Sequence, residues 1–147
     1  MLSLKDFLIY PASVTVEDGV FCLRVKTTSP NVGINAEGAT LEEAAAEAKD
    51  VILSIAMVCI AENEPAPAAA GFAGGDLALQ MTTDFALKCM LQNAMLERGI
   101  SAAELARLLG SESTEQVREL LNFEHATALD RLYPAFAAVG RPLQVSC

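Results

Sequence analysis

Two short stretches near the start of the chain alternate apolar with polar residues. In residues 13–17, and again in residues 21–26, every second side chain is strongly apolar, which is the period of a strand with one buried face. Asp18-Gly19 stands between them, and this dipeptide tolerates the positive φ angles that a two-residue hairpin demands. The pattern therefore predicts a β-hairpin, followed by a third strand at residues 34–37.

A long helix is predicted to follow these strands. Thr40 can cap its first turn through the hydroxyl while Glu43 reaches back, which is the pattern of a capping box. Apolar residues then recur every three or four positions and would cover one face of the sheet. The stripe consists of Leu41, Ala44, Ala45, Ala48, Val51, Ile52 and Ile55.

The composition changes abruptly after this helix. Residues 62–75 combine proline, alanine and glycine without apolar periodicity, which is typical of a linker. We therefore predict an α/β domain over residues 1–64, a linker over 65–76 and a helical domain over 77–147.

The last part of the chain is predicted to be mainly helical. Residues 77–81 suggest one further strand, and from Thr82 apolar residues recur at helical spacing. Arg98-Gly99 favours a helix end, because a basic residue suits the negative end and glycine adopts the left-handed cap. Ser101 and Glu104 then form a second capping box before a short helix.

Two more short helices complete the pattern. The first begins at Ser113 or Thr114 and ends near Asn122, and the second runs from Thr127 to Gly140. A short helix, a glycine and a second short helix are typical of a helix-turn-helix, whose second helix lies in the DNA major groove. A small helical bundle with a tight corner fits the same pattern equally well.

Composition and charge exclude several classes of protein. Of 147 residues, 52% are hydrophobic and 20% are charged, which is unlike a disordered chain. The net charge is −9, and residues 1–64 contribute −6 of it through four basic and ten acidic side chains. The longest apolar run, residues 51–61, is much shorter than the roughly 20 residues of a membrane span. The start of the chain also makes a poor secretory signal.

Candidate catalytic and metal-binding residues are few. Cys22, Cys59, Cys89 and Cys147 are scattered without a CxxC pair, and His125 is the one histidine, so a Cys/His zinc site is not expected. Reduced, unpaired thiols favour a cytoplasmic protein. The acidic residues on the long helix fit a solvated face, and no glycine-rich phosphate loop is present. We expect no enzyme activity, no cofactor and no metal.

Several segments in the same order resemble those of HicB antitoxins. In the second half these are ISAAELARLLG from Ile100, His125-Ala126-Thr127, and AVGRPLQVS from Ala138. In the first half they are Tyr10-Pro11, Glu17-Asp18-Gly19, Gly38 with Thr40-Leu41-Glu42-Glu43-Ala44, and Glu64-Pro65-Ala66-Pro67. The resemblance covers nearly the whole chain.

This resemblance implies an α+β protein with two parts. The first would be a partial RNase H-like domain, a small antiparallel sheet with one long helix, which sequesters a small basic HicA toxin that cleaves messenger RNA. The second would be an all-α helix-turn-helix domain that forms homodimers and represses the operon. The acidity of residues 1–64 suits a basic partner, although acidity also simply keeps proteins soluble. The candidate toxin-binding residues are Tyr10, Glu17, Asp18, Glu43 and Glu47.

The DNA-facing part departs from the family. Acidic or neutral residues stand where relatives place basic ones, at Ser111-Glu112-Ser113, Glu115, Glu119, Glu124 and Ala128. Because DNA affinity depends largely on cations that meet phosphates, we expect weak, salt-sensitive or absent binding. The candidate DNA-binding residues are Arg107, Ser113, Thr114, Gln116, Arg118, His125, Thr127 and Arg131.

Two alternative functions remain open. One is a stand-alone helix-turn-helix repressor with no toxin, expected if no small basic protein is encoded beside it. The other is a toxin-neutralising protein whose helical domain only dimerises, which the acidic second helix favours.

Overall fold

The computed structural model describes residues 4–29, 33–70, 76–110, 113–123, 127 and 129–140. Its elements, in chain order, are α1 (Lys5–Leu8), β1 (Ile9–Glu17), β2 (Val20–Val25), β3 (Ile34–Gly38), α2 (Leu41–Ala61), β4 (Leu77–Gln80), α3 (Thr83–Arg98), α4 (Ala102–Leu108), α5 (Thr114–Leu120) and α6 (Leu129–Ala138). The α+β class predicted from the sequence is confirmed. Within the described ranges, no helix combines the length and hydrophobicity that a membrane span requires.

Four antiparallel strands form one sheet in the order β3-β2-β1-β4. The predicted hairpin is confirmed: Asp18 and Gly19 both have positive φ, at 51° and 79°, as a mirror-image turn requires. Strand β1 is longer than predicted because residues 9–12 also pair with β4. The predicted third strand is confirmed as β3, which pairs with β2.

Helix α2 packs across the sheet as its apolar stripe predicts. The Thr40 hydroxyl accepts a hydrogen bond from Glu43 N at 3.1 Å, and the Glu43 carboxylate accepts one from Ala39 N, also at 3.1 Å. The reciprocal bond thus reaches one residue further back than in a standard capping box. Gly38 lets the end of β3 approach α2, because a Cβ there would overlap the backbone nitrogen of Ala44.

Residues 65–70 are packed against the sheet, in contrast to the predicted linker. Ala66 and Ala68 are buried, and the Asn93 side chain bonds both the N–H and the carbonyl of Ala66, at 2.8 and 3.1 Å. The small side chains of Ala66 and Ala68 pack into the sheet core, and the distant Asn93 side chain satisfies the backbone of Ala66. Composition alone contains no information about this burial or these hydrogen bonds, so it predicted a linker here. Residues 71–75 lie outside the described part of the chain.

Helix α3 belongs to both cores of the protein. Phe85 and Cys89 lie in the sheet core, whereas Leu91 and Met95 lie in the helical core. Strand β4, which we assigned to the helical domain, pairs with β1 instead. The packing therefore crosses the predicted boundary at residue 77, and independent folding of the two parts remains a prediction.

The remaining helices enclose the helical core with the predicted caps. The Ser101 hydroxyl accepts a hydrogen bond from Glu104 N, and Ser113 with Gln116 forms a complete capping box. Gly99 ends α3 in the left-handed conformation, with φ of 66°. The inward side chains of the last three helices are Leu105, Ala106, Val117, Leu120, Leu132, Ala135 and Phe136.

Candidate partner-binding surfaces

The four acidic toxin-binding candidates lie at one end of the sheet. Glu17 and Asp18 are exposed at the tip of the β1–β2 hairpin. Strand β2 starts beside this tip, and its Phe21 pairs with Gly38 at the end of β3, just before α2 begins. Glu43 and Glu47 on the exposed side of α2 therefore lie at the same end of the sheet as the hairpin tip.

Local hydrogen bonds hold two of these carboxylates in place. The Glu47 carboxylate accepts a hydrogen bond from Glu37 N on β3 at 3.1 Å, and Glu43 bonds Ala39 N as described above. A carboxylate can accept about four hydrogen bonds, so each retains capacity for a partner. These hydrogen bonds hold two negative charges near the start of α2, where the chain passes from β3 into the helix.

Tyr10 is a core residue rather than a surface residue. Its ring packs edge-on against Phe85, and its hydroxyl donates a 2.8 Å hydrogen bond to the Pro67 carbonyl. Burial raises the pKa of the Tyr10 hydroxyl far above its ordinary value of 10.0. Because residues 65–70 cover it, its side chain cannot touch a toxin while the protein is folded, which corrects the assignment made from the sequence.

Helix α2 also presents a partly apolar flank that its periodicity did not predict. Six residues along this flank line a shallow groove of about 350 Å³ that extends to Cys59; we call these six the α2 outer face. They are Glu47, Asp50, Val51, Ser54, Ile55 and Val58. Two of them, Val51 and Ile55, belong to the inward stripe and are half-buried against the sheet core. The side chain of Val58 is 55% exposed, and its neighbour Met57 is also exposed. The available signal was that residues 57 and 58 are apolar yet lie outside the inward stripe.

The pair α4–α5 contains most of the candidate DNA-binding residues. Gly110, with φ of 82°, lies in the connection between the two helices. Ser113 and Gln116 bond each other's backbone N–H, so both polar side chains serve as caps. Thr114 begins α5 and is half-buried. Two short helices with a glycine of positive φ after the first are compatible with both the helix-turn-helix and the small helical bundle, so the helix-turn-helix stays a prediction.

Each candidate arginine is paired with a carboxylate. Arg107 Nε lies 3.1 Å from Glu104 Oε2, Arg118 Nη1 lies 3.3 Å from Glu115 Oε1, and Arg131 Nη1 lies 3.9 Å from Glu119 Oε2. The hydrogen bond to Arg107 lowers the pKa of Glu104 and raises that of Arg107. Residues 101–131 contain six acidic and three basic side chains, so this segment has no cationic excess for phosphates.

A buried lysine ties α3 to the connection between α5 and α6. Lys88 is fully buried; its Nζ lies 3.0 Å from the Asp84 carboxylate and donates a 2.5 Å hydrogen bond to the Asn122 carbonyl. Asp84 also accepts a 3.0 Å hydrogen bond from Thr127 N. The backbone of Thr127 is thus a structural anchor. The candidate His125 lies outside the described residues, as do Ser111, Glu112, Glu124 and Ala128.

The described residues offer little catalytic chemistry. In that part of the chain, no three histidine, cysteine, aspartate or glutamate side chains are placed to hold a metal ion. Burial raises the pKa values of the Cys59 and Cys89 thiols, which keeps both protonated and unreactive near neutral pH.

The chain is similar to several antitoxins. It is 33% identical over 109 residues to "Antitoxin HicB" of Escherichia coli (strain K12), an alignment that covers 74% of this chain and 78% of that protein. It is 33% identical over 114 residues to "Antitoxin HicB" of Pseudomonas fluorescens, covering 77% of each. It is 31% identical over 108 residues to "Antitoxin HicB 2" of Photorhabdus laumondii, covering 74% and 76%. No protein-family model matches the chain.

Proposed function

Because the chain belongs to the HicB antitoxin family, we propose that it neutralises a small, basic, HicA-like toxin that cleaves messenger RNA. The observation that carries this proposal is the 33% identity over 78% of an antitoxin from Escherichia coli. The chain acts by binding, without a catalytic step or a cofactor of its own, in the cytoplasm, where messenger RNA is found.

The charge distribution supports a basic partner. Glu17, Asp18, Glu43 and Glu47 place negative charge at one end of the sheet, within a segment whose net charge is −6. Complementary potentials speed diffusional encounter and exclude wrongly charged partners. This acidic end of the sheet therefore steers the toxin toward the first half of the chain.

The experiment uses the full chain and the protein encoded by the neighbouring reading frame. If the proposal is correct, that protein is basic, has well under 100 residues, arrests growth when produced alone, and co-purifies with this chain. Co-production of this chain restores growth. A neighbouring product that neither binds nor arrests growth would overturn the toxin-neutralising function.

Autoregulation through DNA is a second part of the proposal. We infer that the helical half forms homodimers, since helix-turn-helix repressors commonly act as dimers on palindromic sites. The paired arginines leave few cations for phosphates and so make operator binding weak. The residues that remain for phosphate or base contacts are Arg107, Ser113, Thr114, Gln116, Arg118, His125, Thr127 and Arg131.

A mobility-shift titration on the chain's own promoter separates the alternatives. Tight binding at physiological salt without any toxin favours a stand-alone repressor, and no binding by a stable dimer favours a helical half that only dimerises. Binding that is lost as salt rises supports weak autoregulation. Sedimentation velocity on the same sample measures the oligomeric state.

A further inference from the structure

The α2 outer face is apolar at its centre and acidic at both ends. Glu47 and Asp50 flank the end nearer the start of α2. Glu62 and Glu64 lie near the other end, because Glu62 is the C-cap of α2 and Glu64 N donates a 2.8 Å hydrogen bond to the Cys59 carbonyl. An apolar centre with a charged rim is the usual anatomy of a protein interface.

The carboxylate of Glu62 interacts unfavourably with the negative end of the α2 helix dipole. Glu62 is the C-cap of α2, and the last turn of this helix contains no basic residue. The C-terminal end of a helix carries partial negative charge and favours cations, so a carboxylate there is repelled. A cationic partner would turn this repulsion into attraction, both to the carboxylate and to the negative end of the helix dipole.

We propose that the α2 outer face binds the toxin, through a cationic segment that carries apolar side chains at its centre and lysine or arginine towards its ends. This rests on the proposed function. The exposed Val58 and the accessible parts of the half-buried Val51 and Ile55 bury the apolar side chains, and the flanking carboxylates pair with the cations. A second copy of this chain is a poorer occupant, because acidic ends would meet acidic ends.

The test compares two exposed apolar residues in the full-length chain. Val58 is 55% exposed and Leu108 is 43% exposed, but Leu108 lies on α4, away from the α2 outer face and from the acidic end of the sheet. The probe is the small basic protein from the neighbouring reading frame, titrated by calorimetry. Val58→Asp weakens its affinity about tenfold or more, whereas Leu108→Asp stays within about twofold of the unmodified chain.

Glu62→Lys separates binding from folding. A positive charge at this position interacts favourably with the negative end of the α2 dipole, so the variant unfolds at an equal or higher temperature than the unmodified chain. Its association rate with the toxin nevertheless falls about fivefold at low salt. Reduced binding together with a lower unfolding temperature would contradict the proposal, because a folding defect then explains the loss.

The outcomes also distinguish a wrong choice of binding surface from a wrong proposed function. If the unmodified chain binds the toxin and Val58→Asp binds it equally well, this surface is wrong while the antitoxin function stands. If Val58→Asp instead dissociates a dimer in sedimentation and keeps its toxin affinity, the occupant is a second copy and the proposal is overturned. If the unmodified chain binds no toxin, both proposals fail.

Discussion

Replacing Lys88 by methionine removes the buried cation that joins α3 to the connection between α5 and α6. Its Nζ lies 3.0 Å from the Asp84 carboxylate and 2.5 Å from the Asn122 carbonyl. Methionine has similar length but no charge and no donor. The variant therefore leaves a partly buried carboxylate without its cation and a backbone carbonyl without this hydrogen bond.

The size of the expected loss in the free energy of unfolding follows from the burial of Lys88 and Asp84. Removing one member of a buried ion pair costs about 3–5 kcal/mol, most of which is the penalty of the remaining charge. The Asp84 side chain is 26% exposed, so water recovers part of that penalty. We expect a loss of about 2–3 kcal/mol, which at this chain length lowers the unfolding temperature by about 5–10 °C.

Urea unfolding followed by circular dichroism measures this loss. Asp84→Asn is the matched control, because its amide oxygen can still accept the hydrogen bond from Thr127 N. The double variant should lose less than the two single variants together, with a coupling energy of about 1–2 kcal/mol. A loss below about 0.5 kcal/mol for Lys88→Met, or strict additivity, would refute a strong buried ion pair.

Three further predictions follow from the same structure. Replacing Glu115 and Glu119 together by glutamine frees two arginines, so affinity for promoter DNA rises and the logarithmic salt slope steepens by about one to two; an unchanged mobility shift would show that α5 does not face DNA. Tyr10→Phe removes the hydrogen bond to Pro67 and lowers the free energy of unfolding by about 1 kcal/mol in urea titrations; no change would mean that water replaces it. Burial raises the pKa values of Tyr10 and Cys89 in the folded protein. The stability that these two protonated groups contribute is therefore complete below their ordinary pKa values of 10.0 and 9.0 and is lost as pH rises above them. Thermal unfolding should shift to lower temperature in alkaline buffer. A flat profile up to pH of about 11 would contradict that burial.

The sequence by itself determined the features that depend on residues close together in the chain. The Asp18-Gly19 turn, the caps at Thr40, Ser101 and Ser113, and the strand and helix periods are all local, because each interaction joins residues within about four positions. The same spacing made the pairing of Arg107 with Glu104 foreseeable. The order of the matching segments also sufficed to identify the family.

Only the tertiary structure decided which of those residues are available to a partner. The hydrogen bond from Tyr10 to Pro67 joins residues 57 positions apart, and the pairing of β4 with β1 is similarly distant. No local pattern encodes such contacts, since they form only when separate elements pack over one core. For that reason Tyr10 and residues 65–70 are interior, and the outward side of α2, with Val58 near its end, is open to a partner.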